Sequence, residues 1–63
     1  MRLGENIMKY RKQKNLTQED FAEALNVSRQ TVYKWEASIS KPKLDKLKQI
    51  TELLEITYEE LLG

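Results

Sequence analysis

The chain has 63 residues, of which 40% are apolar and 33% are charged, with two glycines, one proline, no cysteine and no histidine. A chain of this length holds one small domain, predicted here over residues 1–63, and its composition is that of a folded, helix-rich protein. The missing cysteine and histidine exclude disulfide bonds, the usual zinc and iron ligand sets and an imidazole general base, so neither a metal nor a cofactor is expected.

The charge is divided by segment, which the net value of +1 conceals. Residues 1–14 carry five basic side chains and one carboxylate, and residues 28–48 carry six basic side chains and two carboxylates. Residues 17–25 and 49–63 carry only carboxylates, three and four of them. No apolar run approaches the roughly 20 residues of a membrane span, and no secretory signal is recognisable, so a soluble intracellular protein with no membrane partner is expected.

Helical spacing predicts five short helices and no strand. The first covers about residues 3–14, with Leu3, Ile7 and Tyr10 on one stripe that the stem of Lys14 extends. Asn15 is a helix stop, and Thr17 begins the second helix as a cap, with Leu16 and Phe21 in staple positions. This helix is predicted to end near Leu25.

Asn26 and Val27 alone separate the second helix from Ser28, which caps a third helix over about residues 28–36. Two helices joined by so short a link must cross steeply, as in a helix-turn-helix. Helical projection places Thr31, Val32 and Trp35 on one arc of the third helix. The opposite arc carries Arg29, Gln30, Tyr33 and Lys34.

Residues 37–42 are predicted to form a loop, because the residue before Pro42 is disfavoured in a helix. A fourth helix follows over about residues 43–54, with Leu44, Leu47, Ile50, Thr51 and Leu54 facing inward. Thr57 and Glu60 form a capping box that starts the last helix. The predicted fold is therefore an all-α, compact five-helix bundle whose core includes Ile7, Phe21, Leu25, Val32, Trp35 and Leu47.

The polar arc of the third helix has the side chains that read base edges. Arg29 suits guanine, Gln30 suits adenine, and Lys34 can reach guanine or a phosphate. Tyr33 lies between them, within reach of a thymine methyl group or a phosphate. Cations and helix N-termini nearby would hold the phosphates, and the predicted backbone contacts are Gln18, Ser28, Lys41 and Lys43. Arg2, Lys9, Lys12, Lys46 and Lys48 are weaker candidates, since surface lysines are usually only solubilising.

Arg11 and Glu36 are predicted to form an ion pair that fixes the angle of the third helix. Enzymatic activity is not expected. The carboxylates fall on helix faces and helix starts, and the chain has neither a serine-histidine pair nor a glycine-rich phosphate loop.

The stretch LTQEDFAEALNVSRQTVYKWE, followed by SISKPKLDKLKQITELLEITYEELL, resembles the XRE-type helix-turn-helix domain of lambdoid phage repressors and Cro proteins. The resemblance covers essentially the whole chain and implies a lambda-repressor-like DNA-binding fold. It also implies that Gln18 contacts the DNA backbone and braces Gln30, that residues 38–43 contact phosphates, and that Arg11 pairs with Glu36. Asn15, Asn26 and Ser38 stand where the family often has glycine.

The sequence is compatible with two functions. The first is a sequence-specific regulator of transcription, expected to repress, that binds double-stranded DNA as a homodimer and takes no small-molecule ligand. Its location would be the cytoplasm of a prokaryote or of a phage-infected cell, at the nucleoid. The second is a protein-interaction module, antitoxin-like or adaptor-like, that retains the fold. Lysine density favours DNA, because lysine is depleted at protein interfaces. Apolar groups for dimer contacts are expected on the last helix, at Ile56, Tyr58, Leu61 and Leu62.

Overall fold

The computed structural model describes residues 2–63, which form five α-helices and no strand. The helices are α1 (Leu3–Gln13), α2 (Gln18–Leu25), α3 (Arg29–Glu36), α4 (Leu44–Leu54) and α5 (Tyr58–Leu62). The backbone measures 25 × 23 × 20 Å along its three principal axes. The predicted all-α five-helix bundle is confirmed. Its predicted boundaries were one residue too wide at three ends, because Lys14 follows α1, and Ser28 and Lys43 are the caps that precede α3 and α4.

Three helices begin with the caps that the sequence predicts. The Thr17 hydroxyl accepts from the Asp20 amide over 3.0 Å, and the Asp20 carboxylate accepts from the Thr17 amide over 3.2 Å. Thr57 and Glu60 repeat this capping box before α5, and the Ser28 hydroxyl accepts from the Thr31 amide before α3. These bonds satisfy amides that a helix start leaves free.

Four helices end alike, each with a residue in the left-handed conformation. These residues are Asn15, Asn26, Ser38 and Glu55, with φ between 57° and 61°. In each case the next amide donates to the carbonyl five residues back, over 2.8–3.1 Å. Three of the four replace a family glycine or fill a predicted stop, and asparagine tolerates this conformation well. Glu55 is the member of the set that the sequence does not indicate.

One hydrophobic core joins the helices. Its buried apolar residues are Leu3, Ile7, Phe21, Ala22, Leu25, Val32, Trp35, Ile50, Leu54 and Leu61. Five of the six predicted core residues belong to it, and the sixth, Leu47, is partly buried and packs against it. Leu44 was wrongly predicted to face inward, since it is 77% exposed. It opens α4, and a helix face is buried only as far as neighbouring elements extend.

The N-terminal turn of α1 lies against the end of α3 at Gly4. A Cβ atom on this residue would stand 2.5 Å from the Trp35 carbonyl oxygen and 2.9 Å from that of Glu36. Both distances are shorter than real contacts, so no side chain fits there without a backbone shift. The Asn6 amide donates to the Leu61 carbonyl over 2.8 Å and joins α1 to α5. Across residues 2–63, each helix is too short or too polar to cross a membrane.

Candidate nucleic-acid interface

Helix α3 divides into a buried face and an exposed face, as the sequence predicts. Val32 and Trp35 are 0% and 5% exposed, whereas Tyr33 is 53% exposed. Arg29, Gln30 and Lys34 are exposed as well. The aromatic ring of Trp35 is therefore a core element, and the four side chains predicted to contact bases are free of the bundle.

Three of these four side chains lie around one concavity. Arg29, Gln30 and Tyr33 line it together with Gln18, the first residue of α2. Lys34 lies outside this group, one turn further along α3. The helix-turn-helix thus brings the start of α2 beside the start of α3, because only Asn26, Val27 and the cap Ser28 separate the two helices.

The Gln18 side chain is hydrogen-bonded to the buried carboxylate of Glu36. Its Nε2 donates to Glu36 Oε1 over 3.0 Å. The brace to Gln30 that the family resemblance implies is absent from the side-chain hydrogen bonds of residues 2–63, where Glu36 takes its place. The sequence offers no signal for this bond, because an amide pairs with almost any polar group.

The predicted ion pair between Arg11 and Glu36 is present. Arg11 Nε donates to Glu36 Oε2 over 2.6 Å, and Nη2 donates to Oε1 over 3.0 Å. The third nitrogen, Nη1, donates to the Leu16 carbonyl over 2.7 Å. The pair therefore connects α1, the turn before α2 and the last residue of α3.

The loop after α3 is anchored to the helix that it leaves. The Lys34 carbonyl accepts from the Ile39 and Ser40 amides over 2.8 and 3.3 Å, around the left-handed Ser38. Lys41 and Lys43 follow and are both exposed. Lys41 lines a separate concavity with Leu3, Gly4, Trp35, Ser38 and Ser40. Lys41 therefore lies near Trp35 in the last turn of α3, and Lys43 directly precedes α4.

Two further residues that were considered as DNA-backbone contacts, Ser28 and Lys46, make hydrogen bonds within the bundle. Ser28 is exposed, and its hydroxyl both caps α3 and shares a 2.8 Å hydrogen bond with the Thr31 hydroxyl. Lys46, one of the weaker backbone candidates, donates to the Leu25 carbonyl over 2.7 Å at the end of α2. Lys46 is thus engaged within the bundle, a role the sequence does not indicate.

Comparison with known proteins decides the family. A family model described as helix-turn-helix matches residues 7–61, most of the chain. The chain belongs to the XRE-type helix-turn-helix family. The resemblance recognised in the sequence is confirmed.

Two known proteins illustrate the match. Over all 63 residues the chain is 42% identical to the HTH-type transcriptional activator BcrR of Enterococcus faecalis, and it spans 31% of that protein's length. The structure also matches SinR, described as the master regulator for biofilm formation and solved in complex with DNA. That match has a TM-score of 0.87 and 24% identity, and it covers 97% of this chain and 98% of the SinR chain. The XRE-type fold is therefore shown over nearly the whole chain.

Proposed function

We propose that residues 1–63 are a single domain that binds double-stranded DNA in a sequence-specific manner and serves a transcriptional regulator. The observation that carries the proposal is the exposed face of α3, on which four side chains able to read bases stand opposite a buried face. The names of the relatives support it, since BcrR is called a transcriptional activator and SinR was solved with DNA.

The exposed face of α3 contacts the base edges in the major groove. Arg29 offers a planar pair of donors to the two acceptors of guanine, and Gln30 offers a donor and an acceptor to adenine. Both occupy the first turn of the helix, which enters the groove first in this motif. Tyr33 and Lys34 lie one turn later and reach a thymine methyl group, a guanine or a phosphate.

Phosphate contacts fall to groups that surround α3. Ser28 and the free amides at the start of the helix suit an anion, because the peptide dipoles point their positive ends there. Lys41 and Lys43 supply cations beside the other end of α3. Contacts of this kind set the docking angle and are the source of salt dependence.

Homodimerisation is the second part of the proposal. Half-sites one turn apart lie about 34–36 Å from each other, and the longest dimension of the domain is 25 Å. Two copies centred that far apart leave about 9–11 Å between their backbones, so any direct contact is confined to side chains. The last helix has less to offer than expected, since Leu61 is buried and Ile56 and Leu62 pack against the core, which leaves Tyr58 as its exposed apolar group.

The remaining parts of the proposal follow from DNA binding. The protein would reside at the nucleoid of a prokaryotic cell and would have no catalytic role. Repression, which the phage-repressor resemblance favours, stays a prediction, because the 42% identical relative is named an activator.

A binding experiment at two salt concentrations tests the proposal against the protein-interaction alternative. Binding to random duplex should weaken steeply as salt rises, by counterion release. Arg29→Ala should relax the preference at one base position by about 1–3 kcal/mol. Lys43→Ala should weaken all duplexes alike and reduce the salt slope by about one. Lys14→Ala, at a lysine that pairs with Glu55 and is not among the candidate phosphate contacts, is the matched control. Absent or salt-independent binding would support the protein-interaction module.

A further inference from the structure

At each of the four helix ends that share the left-handed conformation, the residue after the left-handed one is aliphatic. These aliphatic residues are Leu16, Val27, Ile39 and Ile56. The amide of each donates to the carbonyl five residues back over 2.8–3.1 Å. In this motif the aliphatic side chain packs near the residue that supplies the carbonyl. The exposure of that residue therefore decides whether the aliphatic side chain lies on the core or on the surface.

Three of the four helix ends direct the aliphatic side chain to the core. The residues that supply the carbonyls there are buried, namely Arg11, Ala22 and Thr51. The aliphatic residues that bond to them are partly buried and pack against the core, namely Leu16, Val27 and Ile56. The motif at these ends therefore adds an apolar group to the packing of the bundle.

The end of α3 differs, because its carbonyl comes from the exposed face. The Ile39 amide donates to Lys34, which is exposed, and the residue before Lys34 is Tyr33, which is 53% exposed. Ile39 is itself 64% exposed. A lone exposed aliphatic side chain is ordinary on a protein surface. This one, however, is fixed beside the face of α3 that is proposed to contact bases.

The side chain of Ile39 requires an apolar partner. The amides of Ile39 and Ser40 both donate to the Lys34 carbonyl, so the backbone donors at this point are engaged within the protein. The side chain has neither a donor nor an acceptor and cannot bind a phosphate by hydrogen bonds. The apolar group that base edges present in the major groove is the 5-methyl group of thymine.

We propose that Ile39 is a further specificity-determining residue, which packs against the methyl group of a thymine in the major groove. This inference rests on the proposed function, since it requires α3 to lie in that groove. Arg29 and Gln30 contact bases through hydrogen bonds at the start of α3. Ile39 contacts a methyl group at the other end of the same helix, where the left-handed Ser38 turns the chain.

Deoxyuridine isolates the proposed contact, because it lacks the methyl group of thymine and keeps its base pairing. A preferred duplex is selected from a random pool with the unaltered protein, and each of its thymines is then replaced in turn by deoxyuridine. Dissociation constants are measured for these duplexes with the unaltered protein, with Ile39→Ala and with a control variant. Alanine at position 39 keeps the backbone amide that donates to Lys34.

The matched control is Leu44→Ala, which also shortens an exposed aliphatic side chain. Leu44 is the first residue of α4 and is 77% exposed. Both changes lie on the surface, where substitutions usually have little effect on stability. Thermal unfolding verifies that each variant is folded at the temperature of the assay.

With the unaltered protein, deoxyuridine at one position of the half-site should weaken binding by about fourfold, the value of one buried methyl group. Ile39→Ala should weaken binding to the thymine duplex by about fourfold or more, and it should bind the thymine and deoxyuridine duplexes equally. Leu44→Ala should keep the difference between the two duplexes. Affinity for random duplex should change little in either variant, because phosphate contacts dominate it.

Two results would overturn the assignment while the proposed function stands. In the first, no thymine of the preferred duplex shows a dependence on its methyl group. In the second, Ile39→Ala retains the methyl dependence, and its loss in Tyr33→Ala would then make Tyr33 the contact. If the unaltered protein prefers no duplex over random DNA, the proposed function itself fails, and that result is visible before any thymine is replaced.

Discussion

Arg11 and Glu36, 25 positions apart, meet in a buried ion pair with two hydrogen bonds of 2.6 and 3.0 Å. They are 6% and 7% exposed. Arg11 also donates to the Leu16 carbonyl, and Glu36 also accepts from the Gln18 amide. No buried side-chain nitrogen or oxygen within residues 2–63 is left without a partner. Every buried polar side-chain atom of this small network is therefore hydrogen-bonded.

Removing one member of this pair should be costly. Arg11→Met leaves the Glu36 carboxylate buried without its cation, so the free energy of unfolding should fall by about 3–5 kcal/mol. Arg11→Met combined with Glu36→Leu removes both charges and should be more stable than the sum of the two single changes predicts. Urea denaturation of the four proteins measures this. Additive losses would mean that the two charges do not interact in solution.

The helix starts and the core were predictable because the causes are local or periodic. Three helix starts are predicted by capping residues, namely Thr17, Ser28 and Thr57. Apolar residues at helical spacing predict the core. Leu44 has the right spacing and is nevertheless exposed, since spacing identifies a face and not how far the neighbouring helices cover it. Only the tertiary arrangement supplies that information.

Ser38 tests the cost of a left-handed residue. With φ at 61°, its Cβ crowds the following carbonyl, a strain that glycine does not have. Ser38→Gly should therefore raise the free energy of unfolding by about 0.5–1 kcal/mol, less than the full strain because glycine also loosens the unfolded chain. Chemical denaturation gives the value.

Ser40 is the matched control in the same loop, because it lies outside the set of positive-φ residues. Ser40→Gly gains nothing in the folded state and should lower stability by about 0.4–1 kcal/mol through the unfolded state. A Ser38→Gly variant that is destabilised like Ser40→Gly would mean that residue 38 is not left-handed in solution.

The ion pair between Lys14 and Glu55 predicts a pH dependence. The pKa of the Glu55 carboxyl lies below its ordinary value of 4.5. The larger cause is the hydrogen bond from Lys14, and the smaller is the positive charge of its ammonium group. A lowered pKa in the folded state means that the pair stabilises the fold above that ordinary value and that this contribution is lost as pH falls through the lowered pKa.

The stability of the unaltered protein should therefore exceed that of Lys14→Met near neutral pH and approach it in acid. Denaturation across a pH series measures the difference, and carbon NMR of the Glu55 carboxyl measures its pKa. The side chains are 39% and 73% exposed, so added salt should shrink the difference. A Glu55 pKa that is the same in Lys14→Met would show that the pair does not form in solution.

The candidate interface was predictable for single helices and not for contacts between them. Arg29, Gln30, Tyr33 and Lys34 share a face of one helix, and that follows from helical geometry alone. The bond from Gln18 to Glu36 joins the start of one helix to the end of another, and many polar pairs fit the sequence equally well. The sequence therefore does not predict the bond to Glu36, and the brace to Gln30 implied by the family stays a prediction.

Lys46 separates a structural lysine from one that contacts DNA. Its ammonium donates to the Leu25 carbonyl over 2.7 Å, where the last carbonyls of α2 carry the negative end of the helix dipole. Lys46→Met should lower the free energy of unfolding by about 0.3–1 kcal/mol. The salt slope of DNA binding should not change, whereas Lys43→Ala should reduce it by about one. Urea denaturation and binding titrations at three salt concentrations measure the two effects. A reduced slope in Lys46→Met with unchanged stability would place this lysine on the DNA and would show that its bond to α2 does not persist in solution.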